Sequence, residues 1–307
     1  MARDKDVFEG GIAVVTGAGS GIGAGLARRA GALGMTVVVT DINQAAAEQT
    51  ASEITSAGGK AEVLAVDVSV PEELDSLAET VFDRHGSVRL LINNAGIETV
   101  GYTWEVPTAR WEATLNINVH GVIHGVRAFV PRMIASGQEA WIGNLSSVGA
   151  FGQMPGQTAY TVTKHAVQAF SECLYLEMEL KGLPIHVSAI VPGMLRTNIF
   201  SAEAGAGEPP NAASHRKAMF EMMRDYGMDL DEGCRLFLEQ MAENKFWAHS
   251  QPEMSDQIIG GRIKFLQEQS APIMPDLARQ IADFAERGPF TKVLKRCRVT
   301  ATRRRVK

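Results

Sequence analysis

Tyr160 and Lys164 stand four residues apart at the start of a long amphipathic run, and Ser147 lies thirteen residues before the tyrosine. On a helix that spacing stacks the two side chains one turn apart on the same face, which brings an ammonium close to a phenol. A free tyrosine titrates near ~10, and a nearby positive charge is expected to lower that value and let the phenol exchange a proton near neutral pH. Ser147 is then placed to hydrogen-bond the oxygen of a bound carbonyl or alcohol. Tyr-Lys pairs at this spacing also occur on solvated helix surfaces, so the pair needs a context.

A second motif supplies it. Thr16-Gly17-Ala18-Gly19-Ser20-Gly21-Ile22-Gly23 follows the apolar run Ile12-Ala13-Val14-Val15 and opens a helical pattern over 24–33. Glycines here let the backbone turn tightly and approach a pyrophosphate, whose charge is met by the helix N-terminus. Asp41 closes the next apolar run, twenty-four residues after Gly17. An acid at that place can hydrogen-bond an adenosine ribose, or simply cap a helix. Asn93-Asn94-Ala95-Gly96 ends another apolar run, where asparagines can fix the backbone and Gly96 permits close approach.

The elements that must position these residues alternate along the chain. Apolar runs at 12–16, 36–40, 61–66, 88–92, 140–145 and 185–191 are separated by helical patterns, including one long helix over 108–131, and a last strand is expected at 246–249. This predicts an α/β fold: a Rossmann-type, doubly wound parallel sheet of about seven strands with helices on both faces and ligands at the carboxyl ends of the strands. At 307 residues and 45% hydrophobic, one large domain suffices.

Cys173, Cys234 and Cys297 are scattered, and His120 and His124 share a face without a third ligand, so neither a disulfide framework nor a metal site is expected. The polar N-terminus and the lack of eighteen consecutive apolar residues point to a cytoplasmic protein with no membrane partner. Net charge is −5, yet residues 292–307 carry eight Lys and Arg and no acid. The acidic remainder would repel phosphate, so the tail reads as a solvated end and no nucleic-acid partner is expected.

Taken as a set, Thr16-Gly17-x-x-x-Gly21-Ile22-Gly23, Asn93-Asn94-Ala95-Gly96, Ser147, Tyr160-x-x-x-Lys164 and Pro192-Gly193 resemble the short-chain dehydrogenase/reductase family over residues 8–200. The resemblance implies a nicotinamide oxidoreductase. Tyr160 would be its acid/base, Lys164 would hold the nicotinamide ribose, and Ser147, favoured over Ser146 by its distance from the tyrosine, would hold the substrate oxygen. Asn118, in Asn118-Val119-His120-Gly121, would complete a tetrad through a water, with Asn116 as the near alternative. Gly17, Gly19, Ser20, Gly21, Ile22, Gly23, Asn94, Ala95 and Gly96 would line the cofactor. Asp67 and Val68 would contact adenine, Pro192 and Gly193 would lie on the nicotinamide, and Thr197 would hold the carboxamide or cap a helix. The family's usual places for an NADP-binding arginine hold Ser20 and Ile42, so with Asp41 the expected cofactor is NAD.

Beyond residue 200 the resemblance thins. Residues 194–245, with a small-residue loop at 201–210 and many methionines, are expected to form a substrate lid, and 251–291 to add helices beyond the standard core. That layout is similar to bacterial members that oxidise benzylic alcohols. Phe151, Met154 and Met194 are expected to line a roomy apolar pocket. The expected reaction interconverts a secondary alcohol and a ketone in a homodimer or homotetramer. The alternatives are an NADP-dependent carbonyl reductase of 3-oxoacyl or steroid type, and a non-catalytic NAD-binding regulator.

Overall fold

A computed structural model describes residues 3–200, 208–209 and 212–287, with side chains through 281. The expected basic tail and most of the loop at 201–210 lie outside the described residues. The described residues form seven strands: β1 (Ile12–Thr16), β2 (Thr36–Asp41), β3 (Lys60–Ala65), β4 (Leu90–Asn93), β5 (Ala140–Leu145), β6 (Ile185–Val191) and β7 (Trp247–His249). The helices between β1 and β5 are α2 (Gly21–Ala32), α3 (Gln44–Ser56), α4 (Pro71–His85), α5 (Thr108–Leu115) and α6 (Gly121–Ser136), with α1 (Arg3–Phe8) preceding β1. Then come α7 (Thr158–Lys181), α8 (Ala212–Tyr226), α9 (Leu230–Ala242), α10 (Pro252–Glu268) and α11 (Asp276–Arg287).

All strand pairs are parallel, in the order β3-β2-β1-β4-β5-β6-β7. The order reverses between β1 and β4, and that switch point opens the crevice where a doubly wound sheet receives its ligand. The strands read as continuous apolar runs because both faces are covered. Ala13 and Val15 of β1 face one core with Leu26, Ile54 and Phe237, from α2, α3 and α9. Val14 faces the other, with Leu77, Phe129 and Leu174, from α4, α6 and α7.

Helix ends follow local chemistry. Pro71 opens α4, where its missing N–H costs nothing, and Gly86 (φ 76°) closes it in the left-handed conformation that L side chains disfavour. The helix expected over 108–131 is instead interrupted: a π-turn at Asn116–His120 joins α5 to α6, which runs on through Pro131 to Ser136. Among the described residues, no helix is long and apolar enough to cross a membrane.

Candidate active site

The glycine loop leaves β1 at the switch point. Gly17 (φ 63°) and Gly21 (φ 54°) adopt left-handed backbone, and a Cβ on Gly23 would lie 2.2 Å from the Gly17 carbonyl oxygen. Asn94 ties the loop to β4, donating from Nδ2 to the carbonyls of Thr16 at 2.8 Å and Gly17 at 3.1 Å. The Thr16 hydroxyl accepts from the backbone N–H groups of Asn94 at 2.9 Å and Ala95 at 3.2 Å. Ser20 precedes α2 without capping it through its side chain, so its hydroxyl leaves the first-turn N–H groups of the helix to other partners. This cradle fits a pyrophosphate.

Asp41 sits against the cradle. Its Oδ2 accepts from the Gly19 N–H and its Oδ1 from the Asn43 N–H, both at 2.9 Å. Ile42 beside it is exposed. Arg28 bonds Glu53 and Asp231, and Arg29 bonds Asp4, so both point away from that corner. Asp67 accepts from the Ser69 N–H and hydroxyl, and Val68 is buried beside Gly121. On the opposite rim, Gly193 N–H bonds Ser250 Oγ, Pro192 C=O accepts from Val148 N–H, and Thr197 lies against Gly21.

The tetrad residues converge at the end of β5. Ser147 Oγ accepts from Gly149 N–H at 3.0 Å, leaving its own O–H to hydrogen-bond the Tyr160 phenol. Ser146 instead turns inward to Gln168 Oε1 at 3.1 Å. Lys164 Nζ donates to the Leu145 carbonyl at 2.7 Å and lies 5.4 Å from the centre of the Tyr160 ring. Two further N–H groups of that ammonium remain for a ligand. Asn118 is 1% exposed, whereas Asn116 lies on the surface bonded to His120. The Asn118 amide grips Ile97, accepting from its N–H at 2.8 Å and donating to its C=O at 2.9 Å, and donates to Thr163 Oγ1 at 3.1 Å.

The expected lowering of the phenol pKa is overturned. Tyr160 is pushed above its ordinary value, first by burial and then by the Glu98 carboxylate, while the Ser147 hydrogen bond acts the other way. Its residual exposure to solvent screens part of that rise. Burial also draws Lys164 down to about 8, with Glu98 opposing. Spacing revealed the neighbouring ammonium but not the desolvation that both groups share. At neutral pH the phenol is therefore protonated in this structure.

The expected substrate residues separate. Met154 and Met194 pack on an apolar cluster built from Val100, Met219, Met222 and Ile281 of α8, α11 and the loop after β4. Phe151 stands apart, its ring 5.4 Å from Trp247. A cavity of about 460 Å³ opens among Val100, Tyr102, Pro155, His215, Met274 and Ile281, next to the tetrad's loop but not lined by the tetrad itself. Burial, with Arg216 next, lowers the His215 pKa to about 4, so it presents a neutral ring there.

Sequence reasoning missed a charged cluster over this side. Arg216 of α8 bonds Glu208 through Nε at 2.6 Å and Nη2 at 2.5 Å, and donates to the Glu98 carbonyl at 2.9 Å. Arg110 reaches the same carbonyl at 3.0 Å. Glu98 itself is 4% exposed and burial holds its carboxyl well above the usual range, against the pull of Arg216 and Lys164. Its one available signal was an acid two residues beyond the Asn-Asn-Ala-Gly turn.

A family model described as short chain dehydrogenase matches residues 11–206. The chain belongs to the short-chain dehydrogenase family. Members are NAD(P)-dependent oxidoreductases acting on CH–OH groups. Among solved structures, this chain is similar to a short chain dehydrogenase/reductase from Burkholderia phymatum in complex with NAD, with a TM-score of 0.82, 29% identity, and coverage of 88% of this chain and 98% of that one. It is 33% identical over 234 residues to the probable oxidoreductase EphD of Mycobacterium tuberculosis, covering 75% of this chain but only 39% of that longer protein. The 1-deoxy-11-beta-hydroxypentalenate dehydrogenase of Streptomyces exfoliatus is 36% identical over 200 residues, 64% of this chain and 72% of its own.

Proposed function

We propose that this protein is an NAD-dependent alcohol dehydrogenase that interconverts a secondary alcohol and a ketone on a bulky apolar or aromatic substrate. The observation that carries the reading is the meeting of Ser147, Tyr160 and Lys164 at the end of β5, beside a glycine cradle at the sheet's switch point.

When bound, the nicotinamide supplies the acceptor or donor of the hydride. Gly17, Gly19, Gly21 and Gly23 with the α2 N-terminus would hold the pyrophosphate, Asp41 the adenosine ribose and Lys164 the nicotinamide ribose. Ser147 orients the substrate oxygen. During reduction the protonated Tyr160 phenol donates its proton to the ketone oxygen, and during oxidation the phenolate, which forms as pH rises, takes the hydroxyl proton. Asn118 has its amide committed to Ile97 and Thr163, so it would position a relay water through main chain that the π-turn draws out of the regular ladder. Exposed Ile134, Val162, Leu176 and Leu180 on α6 and α7 support a homo-oligomer.

Asp41 supports NAD over NADP. Its carboxylate can accept from free ribose hydroxyls, whereas a 2′-phosphate of nearly two negative charges would be repelled, and Arg28 and Arg29 are engaged elsewhere. NAD should exceed NADP by at least ~10-fold in kcat/KM, equivalent to ~1.4 kcal/mol, and Asp41→Ala should narrow that ratio. Kinetics with both cofactors, side by side, check this; a native preference for NADP would show that Asp41 does not face the ribose.

The apolar cluster around Met154, Met194 and α8 supports a large hydrophobic substrate. Secondary aryl alcohols should surpass 2-propanol in kcat/KM by at least ~10-fold, since each methylene buried contributes about 0.8 kcal/mol. A substrate panel followed by NADH absorbance measures the ratio, and equal or reversed preference would refute the pocket's assignment.

A further inference from the structure

Helix α10 is anchored to the core at its first turn. Ser255 is its one buried residue, with Oγ 2.8 Å from His249 Nδ1 of β7, and the chain passes from β7 into the helix through Ser250 and Gln251. Those two residues touch the rim of the site. β6 and β7 pair as far as Val191 and His249, so the backbone N–H groups just beyond Val191 have no strand to bond and need other acceptors. Side chains supply them. Gly193 N–H donates to Ser250 Oγ at 3.0 Å, and Met194 N–H donates to Gln251 Oε1 at 2.6 Å. Both acceptors lie outside residues 11–206, the part of the chain that the family model matches.

The loop so held is tied to its other neighbours as well. Pro192 C=O accepts from Val148 N–H at 3.1 Å, one residue beyond Ser147, and Met194 C=O accepts from Met228 N–H at 2.9 Å. Gln251 also accounts for the glycine, because its Oε1 fills the space that a Cβ at position 193 would need. Ser250 is buried beside it. The backbone course over 192–194 is therefore set by two side chains 57 residues further along the chain.

We propose that Gln251, seconded by Ser250, is a positioning residue for the nicotinamide: it fixes the 192–194 loop on which the ring would lie. The inference rests on the NAD-dependent reading above. A loop ordered before its ligand arrives spares the cost of ordering it on binding, and removing the acceptor leaves the Met194 N–H unpaired. The adenosine and pyrophosphate would be held by Asp41 and the glycine cradle, through bonds of their own. Loss of Gln251 should thus be felt at one end of the cofactor only.

Two ligands separate the ends: NADH, and ADP-ribose, which has both riboses and the pyrophosphate but no nicotinamide. By calorimetric titration, Gln251→Leu should weaken NADH at least ~5-fold, as expected for one lost hydrogen bond to a buried donor, and ADP-ribose by no more than about twofold. Gln251→Glu keeps an acceptor oxygen at the same reach and should hold NADH within about threefold of the unmodified protein. Ser250→Ala, which removes the neighbouring acceptor with little change of volume, should show the same split as Gln251→Leu. A merely structural role would move both ligands together or neither. Equal losses for NADH and ADP-ribose in Gln251→Leu, or unchanged NADH affinity there, would overturn the proposal and leave the dehydrogenase reading standing. Failure of the unmodified protein to bind NADH would overturn both.

Discussion

Tyr160→Phe is expected to lower kcat by at least ~10²-fold, the loss typical of a missing general acid/base, with cofactor affinity nearly unchanged. The variant keeps the aromatic ring on α7 and deletes only the hydroxyl that meets Ser147. Lys164 retains its bond to Leu145 and its two remaining donors. Without the phenol the site loses the group proposed to take the carbinol proton, and the Asn118 amide, committed to Ile97 and Thr163, does not replace it. Steady-state kinetics beside an NADH-binding titration separate the two effects. Undiminished turnover would remove Tyr160 from the mechanism.

Gly23→Ala carries the second large effect. The added Cβ would stand 2.2 Å from the Gly17 carbonyl oxygen and 2.4 Å from Asn94 Nδ2. Neither can yield cheaply: one is backbone, and the other bonds Thr16 and Gly17, which join the loop to β4. Overpacking of this kind costs ~1–3 kcal/mol, and a broken buried hydrogen bond adds a comparable amount. Thermal unfolding should show that loss, and NADH affinity should fall at least ~10-fold as the cradle distorts. Gly260→Ala on α10 is the control, because its Cβ would meet nothing within 4 Å and alanine favours a helix by up to ~1 kcal/mol. Equal melting temperatures for Gly23→Ala and the unmodified protein would mean that the loop is looser than its contacts imply.

The fold was legible because its signals are local and repeated. Runs such as Ile12-Ala13-Val14-Val15 are apolar throughout because both sheet faces are covered, and the glycine loop, Asn93 to Gly96 and Ser147 all fall at strand ends, where the topology gathers them. Strand limits moved by a residue or two, as at β3 and β4, where the apolar run carries no end signal of its own. The π-turn inside the helix expected over 108–131 was hidden, since Asn116 to His120 holds no proline or glycine to mark it.

What the sequence concealed were properties created by distant partners. Glu98 and Arg216 are 118 residues apart, and no spacing rule links them. The direction of the Tyr160 shift likewise depends on burial, which only the packed structure supplies. Phe151 follows Ser147 closely in sequence, and its ring packs on Trp247 of the edge strand β7, a contact that sequence proximity gives no sign of.

Mixing the purified protein with NAD and a secondary aryl alcohol such as 1-phenylethanol, and following NADH absorbance together with ketone formation, asks whether Tyr160 carries an alcohol oxidation. One NADH per ketone formed is expected from the unmodified protein, with at least ~10²-fold slower formation of both in Tyr160→Phe. NADH and ketone produced at equal rates by the two proteins, or by neither with NAD or NADP, would contradict that role.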